Sequence, residues 1–397
     1  MSLNLQDIPA VFFDNPYDTY AALLSDAPAC LQPNGTVILS RFDDLSTVYR
    51  DTKRFISDKK PLFAPKFGAE SALFEHHTTS LVFNDPPLHT RVRKIMIGAM
   101  TPRAIERLES SIRHLVEHLL DQMDPAKPVD LISQFAAAIP VDVIGNLLDI
   151  PQSDRAPLRD WSLAILGALE PVLTPEQQAE GNKAVTDFVA LLERIVADRR
   201  ANPGDPETDV LTRLIHGQGD AQLSAAEIYQ NCIFILNAGH ETTTNLIGNG
   251  LWLLHQWPEA RASLITDPSL LPTVVEEMLR MESPNQFGNR MAVEDVEFYG
   301  VKIAAGTDIH LCIGAANRDH RVFQDAMTFA ANRHPNKHLA FGGGGHTCVG
   351  LSLARMEAQI AISGMLSRFP NYQILDGARR AHRVRFRGFE TLPAQLT

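Results

Sequence analysis

The sequence predicts a mainly α fold with small β-sheets, and three observations carry that prediction. Apolar residues recur at helical spacing over most of the chain. Strand-like runs are few and short. Prolines recur at segment ends rather than in clusters, so they punctuate helices instead of marking a linker. Neither a repeat nor a low-complexity stretch divides the 397 residues, a length that suits two or three domains or one large α domain.

Each element has its own signal. Asn34-Gly35 precedes a short strand over 36–40. Thr101-Pro102 reads as an N-cap followed by proline at the first helical position. The helix beyond it carries Leu108, Ile112, Leu115, Leu119 and Leu120 on one side. A second apolar helical stretch covers about 131–148. A third, with Val185, Phe188, Leu191, Leu192 and Ile195 on one face, runs to the Asn202-Pro203-Gly204 break. Ser224 and Glu227 form a capping box. The helix that it opens extends to about Trp257-Pro258, roughly 32 residues or ~48 Å. Its first half, 228–238, is apolar nearly all round, which places it in the interior. Further strands are expected over 296–302, around Gly300, and over 307–313. Finally, 351–369 reads as an amphipathic helix with Leu353, Met356, Ile360 and Met365 at helical spacing.

Composition excludes several classes. Lys plus Arg is 36 and Asp plus Glu is 47, so the net charge is 36 − 47 = −11. An acidic chain with no long basic run is a poor partner for nucleic acid or an anionic membrane. Cys30, Cys232, Cys312 and Cys348 lie far apart, which argues against a disulfide framework or a zinc cluster. The first residues lack the basic and apolar runs of a signal peptide, and no window holds ~18 uninterrupted apolar residues. A soluble, cytoplasmic protein is expected.

Three stretches break local rules or concentrate chemistry. Inside the long helix sits Ala238-Gly239-His240-Glu241-Thr242-Thr243-Thr244, although glycine and β-branched threonines are poor interior helix residues. Such a conflict within a strongly specified element points to a functional site. Glu277 and Arg280 share a helix face, which alone means little on a solvated helix. Residues 341–350, FGGGGHTCVG, put Cys348 where a glycine-rich loop meets a helix N-terminus, a position that favours a thiolate. Competing readings fail. No GK[ST] follows the glycines, no second Cys/His pair accompanies His346 and Cys348, and position 244 is Thr where a zincin needs His. Cys30, Cys232 and Cys312 read as buried and inert.

Together these residues resemble the cytochrome P-450 superfamily of haem-thiolate monooxygenases, in its soluble bacterial form. The signature FGxGxHxCxG is met by Phe341, Gly342, Gly344, His346, Cys348 and Gly350. The A-G-x-E-T-T stretch is met by Ala238, Gly239, Glu241, Thr242 and Thr243. The ExxR pair is Glu277 and Arg280. The resemblance covers essentially the whole chain and implies one domain over 1–397, a triangular helical prism with small sheets and minor β lobes, binding haem b through Cys348. It implies that His89, Arg93, Arg290 and His346 hold the haem propionates, and that Arg333 completes a structural triad with Glu277 and Arg280. It also implies that Phe341 packs beside the sulfur, that Glu241 carries protons, and that Thr242 places them. A back-bond from Thr242 to Ala238 is expected to widen the long helix locally.

The activity implied is insertion of one oxygen atom from O2 into a small or medium apolar organic substrate, aromatic compounds included. Residues 283–287 and 387–393 loosely resemble relatives that act on aromatics. Residues 55–83 and the stretch ending at Leu173 match no motif and shape the substrate pocket in such enzymes. No reductase domain is expected in the chain, which is expected to be a monomer. Electrons would come from a ferredoxin and its NAD(P)H reductase, docking near Arg91, Lys94 and Arg355. Two alternatives are a peroxide-driven haem peroxygenase, against which Glu241-Thr242 speaks, and a non-catalytic haem sensor, which needs no proton relay.

Overall fold

The computed structural model describes residues 3–206, 209–217 and 222–397, and it divides into two compact units. The first comprises Met1–Ile56, Ile112–Ala138 and Thr242–Thr397; the second comprises Ser57–Ser111 and Ile139–Glu241. Helices dominate, and the sheets are small.

In the first unit a five-stranded sheet runs in the order Ala29–Leu31, Val37–Leu39, Asp308–Cys312, Phe287–Ala292, Phe55–Ile56. The pair Val37–Leu39 and Asp308–Cys312 is parallel, and the other pairs are antiparallel. Val37, Leu39, Phe55, Ile309 and Leu311 point into one core with Leu45 and Val48 of the helix Phe42–Arg50. The strands expected over 36–40, 296–302 and 307–313 are all present, the second as a hairpin of Val296–Phe298 and Val301–Ile303 turning at Tyr299-Gly300. The strand Phe287–Ala292 sits inside the sheet, with Arg290 paired to Ile309.

The helix Pro102–Asp121 begins as expected, with Thr101 Oγ1 accepting from the Ala104 N–H at 3.2 Å. The capping box also forms: the Ser224 N–H donates to Glu227 Oε2 at 2.8 Å, and the Glu227 N–H donates to Ser224 Oγ at 3.2 Å. The long helix Ala225–Gln256 follows, at 32 residues.

Three expectations need correction. The stretch 131–148 is not one α-helix; it opens with a π turn over Ile132–Ala136, and the α-helix is Ala138–Leu147. Asp130 accepts from the N–H groups of Ile132 and Ser133, while the Leu131 N–H donates to Leu392 O, so this start is anchored to a strand rather than to a helical cap. The long helix is an unbroken α-helix through 238–244, without the expected widening, so burial outweighs the poor propensities of glycine and threonine. The helix Leu351–Arg368 is not simply amphipathic. Leu353, Glu357, Ala358, Ile360, Ala361, Ile362, Met365 and Leu366 are all buried. Neighbours press on it from two sides. A Cβ at Gly250 of the long helix would lie 3.3 Å from Ile362 Cδ1, and one at Gly364 would lie 2.8 Å from Val116 Cγ1.

The second unit is helical. The helix Pro175–Ala201 packs on Ala72–Thr79 so closely that a Cβ at Gly181 would lie 2.9 Å from Leu73 Cδ1. The helix Leu88–Ala99 and the first half of the long helix complete the frame for its polar residues.

Candidate active site

Cys348 lies in a loop of unusual backbone shape. Gly342 and Gly344 adopt φ of +67° and +63°, a region open to glycine and costly for other residues. A Cβ at Gly344 would also lie 2.0 Å from the Tyr49 carbonyl oxygen. The Cys348 N–H donates to Phe341 O at 3.0 Å, which closes the loop, and Gly350 caps the helix Leu351–Arg368. Cys348 is partly accessible, whereas Cys30, Cys232 and Cys312 are buried, as expected. An added Cβ at Gly350 would meet nothing within 4 Å, so this side of the loop leaves room for a flat group.

Two clusters brace the loop. The Arg290 guanidinium lies over the Tyr49 ring, 5.1 Å from its centroid, and donates to Asn289 O at 2.7 Å. Arg355 crosses the Phe341 ring at 4.8 Å and grips Glu276 with two hydrogen bonds of 2.6 and 2.7 Å. His338 Nε2 lies 3.1 Å from the same carboxylate. Burial pushes the Glu276 carboxyl up, but Arg355 and His338 outweigh it and hold the group down at about 2. His346 is partly buried in the loop itself.

Glu277, Arg280 and Arg333 come together as the sequence implies. Glu277 and Arg280 are fully buried, with bonds of 2.7 and 2.8 Å between them. Arg333 Nε donates to Glu277 at 3.0 Å, and the Ala330 N–H and Asn336 Nδ2 donate at 2.9 and 3.0 Å. Burial raises the Glu277 carboxyl, yet these donors leave it below the usual range.

The long helix changes character at the anomalous stretch. Asn231, Cys232, Ile233, Ile235, Leu236 and Asn237 are buried, but Phe234 and Thr242 are partly accessible and Ala238 is exposed. These three are four residues apart, so one face of the helix is open there. Glu241, 5% exposed, lies beside that face. On the helix Leu88–Ala99, buried His89 and partly buried Arg93 share a face at i and i+4.

The three docking candidates have different surroundings. Arg91 is engaged with both oxygens of Glu227 and with Gln222 O, so it pins the start of the long helix. Arg355 is held by Glu276. Lys94 is exposed. Sequence reasoning missed Tyr49, Glu276, His338 and the buried cluster of Glu282 with Arg387, Arg380 and Arg318. Each gains its role from partners remote in sequence, and only the "HLAFG" run beside Phe341 hinted at His338.

The residues of the loop fit a haem group: a partly accessible cysteine presents a sulfur donor on a glycine-rich turn that is open beside Gly350. The comparisons agree. The cytochrome P450 family model matches residues 162–372. The biotin biosynthesis cytochrome P450 of Bacillus subtilis is 34% identical over 387 residues, covering 96% of each chain. The 6-deoxyerythronolide B hydroxylase of Saccharopolyspora erythraea is 32% identical over 398 residues, again 96% of each chain. A solved structure, P450BioI in complex with hexadec-9Z-enoic acid ligated acyl carrier protein, superposes with a TM-score of 0.92 at 33% identity, covering 98% of this chain and 100% of that one.

Fold and loop define a haem-thiolate oxidoreductase. The chain belongs to the cytochrome P450 family, whose members bind haem b through a cysteine thiolate and act as monooxygenases. Among the described residues, no helix is long and apolar enough to cross a membrane.

Proposed function

We propose that this chain puts one atom of O2 into a C–H bond of an organic substrate and releases the other as water, with Cys348 as the thiolate ligand of haem b. The observation that carries the reading is Cys348 itself. It is the accessible cysteine of the four, set between two glycines of positive φ and the cap of a helix. When bound, the haem supplies the activation and splitting of dioxygen. The protein's own residues do the rest. The Gly342–Gly344 backbone and the Cys348 N–H fix the loop so that the sulfur is presented in one orientation. Phe341, clamped under Arg355, shields that sulfur from water. Arg93, Arg290, His89 and His346 offer the donors that suit two propionate carboxylates. Glu241 takes protons from solvent, and the partly open Thr242 hydroxyl hands them to the reacting oxygen. Glu277, Arg280 and Arg333 hold the loop's surroundings in place.

Two electrons are needed for each turnover, and a ferredoxin with its NAD(P)H reductase is the proposed source. The substrate reading moves away from small aromatics. Relatives are named for biotin biosynthesis and for 6-deoxyerythronolide B hydroxylation, and the superposed structure carries a sixteen-carbon acyl chain on acyl carrier protein. An extended, largely aliphatic substrate is therefore favoured here. The test is a Soret-shift screen of free and carrier-bound fatty acids, macrolactones and simple aromatics. Turnover with NADH, ferredoxin and reductase then follows. Hydroxylated aliphatic product that depends on the electron supply supports the reading. Product formed only with added hydrogen peroxide overturns it.

A further inference from the structure

A buried polar chain runs through the second unit toward the anomalous stretch of the long helix. Gln230 and Asn237 lie seven residues apart on that helix, and both are almost fully buried. His76, on the helix Ala72–Thr79, bridges them: Nδ1 is 3.0 Å from Gln230 Oε1, and Nε2 is 3.4 Å from Asn237 Nδ2. Burial pushes His76 down to about 4, so the ring is neutral at physiological pH. A neutral ring has one donor nitrogen and one acceptor nitrogen. Gln230 Oε1 can only accept, so Nδ1 carries the proton. Nε2 must then accept, and its donor is Asn237 Nδ2. The three side chains are thus oriented in one direction, ending at Asn237 Oδ1.

That terminal oxygen is buried and has no hydrogen-bond partner among the described residues. The neighbouring Asn231 shows the ordinary outcome. Its amide is spent on backbone, accepting from the Leu81 N–H at 3.0 Å and donating to Glu227 O at 2.7 Å. Asn237 instead keeps a fixed acceptor one helical turn before Glu241, next to the open face that starts at Phe234 and Ala238. A buried acceptor left unmatched is destabilising, so its orientation calls for a donor from a bound molecule.

We infer that Asn237, held by His76 and Gln230, is a specificity-determining residue that accepts a hydrogen bond from a neutral hydroxyl group of the substrate. The inference rests on the proposed monooxygenase reading and names one feature of its substrate. All three members of the chain are neutral, so no charged group is matched there. An aliphatic molecule carrying a hydroxyl is favoured over its deoxygenated parent. The same oxygen could be met by a water molecule instead, and the test separates the two.

The probe is a series of N-alkylimidazoles of increasing chain length, each with and without a terminal hydroxyl. The haem-loaded protein reports binding by the red shift of its Soret band. At the length that reaches Asn237, the hydroxylated member is expected to bind about 3- to 10-fold tighter than its parent, the range of one added hydrogen bond. Asn237→Leu should abolish that preference while the parent compounds still bind, and Gln230→Met should weaken it by freeing the His76 ring. Absence of any hydroxyl preference in the unaltered protein, at every length, overturns the inference and leaves the oxygen to water. So does a preference that survives Asn237→Leu. Failure of the parent imidazoles to give a Soret shift at all would instead count against the haem-thiolate reading.

Discussion

Glu241 and Thr242 are adjacent residues with opposite environments, one a buried carboxylate and the other a partly open hydroxyl. An acid in an interior is costly to bury, and its neighbour opens toward the accessible face of the helix. If the two form a proton path, Thr242→Ala keeps substrate affinity and electron uptake but releases much of the reduced oxygen as hydrogen peroxide. Glu241→Gln should lower kcat by about 100-fold, the scale of one lost proton-transfer group, with an enlarged solvent isotope effect. Product formed per NADH consumed, beside the substrate dissociation constant, checks both. Full coupling in both variants would remove the pair from the mechanism. At this scale the sequence marks candidates wherever a pattern is local: Cys348 with its glycines, Glu277 with Arg280, Glu241 with Thr242. The ion pairs of Arg355 and Arg91 were not legible, because a charged side chain on a helix reads as free until its partner is known. Glu276 lies 79 residues from Arg355 and Glu227 lies 136 from Arg91.

Elements with a cap or a turn signal were legible, the long helix and the short strands over 36–40, 296–302 and 307–313 among them, and elements without one were not. The capping box and the apolar run fixed the long helix to within a residue. The strand Phe287–Ala292 reads FGNRMA, which has neither clean alternation nor β-branched residues, so only its neighbours in the sheet make it a strand. The ligand loop is legible as glycine-rich, but which glycines matter depends on backbone angles and on Tyr49. Gly344→Ala would force a Cβ onto the Tyr49 carbonyl and place alanine at positive φ, a strain of about 1–2 kcal/mol before the clash is counted. Purified Gly344→Ala should have a lower haem-to-protein ratio than the unaltered chain. Gly345→Ala should not, since its added Cβ meets nothing within 4 Å. Equal haem content in both variants would show that the loop tolerates displacement.

Across the whole molecule, buried charge sets the pH range of stability. Glu282 is almost fully buried. Desolvation raises its carboxyl, but Arg387, Arg380 and Arg318 outweigh that and hold it at about 2, against an ordinary 4.5. Glu276 is held at about 2 as well. A folded-state value below the unfolded one means that the stabilisation is complete above about pH 4.5 and is lost as pH falls toward 2. Glu357 acts in the opposite sense. Burial pushes it up to about 8, so it folds protonated and its contribution is lost as pH rises from 4.5 through 8. The melting temperature should therefore drop below pH 4.5, and Glu357→Gln should flatten the decline between pH 6 and 8. An unchanged alkaline slope in that variant would show that Glu357 is not buried as a neutral acid. None of this balance was legible in a net charge of −11, which counts charges without their surroundings.

The claim on which the rest depends is that Cys348 supplies the thiolate to haem iron. The reduced protein under carbon monoxide measures it directly, through the position of the Soret band. The unaltered chain should show the long-wavelength band of thiolate ligation. Cys348→His should lose that band and show the shorter-wavelength band of histidine ligation while still holding some haem. A thiolate band that persists in Cys348→His, or one absent from the haem-loaded unaltered protein, would contradict the assignment.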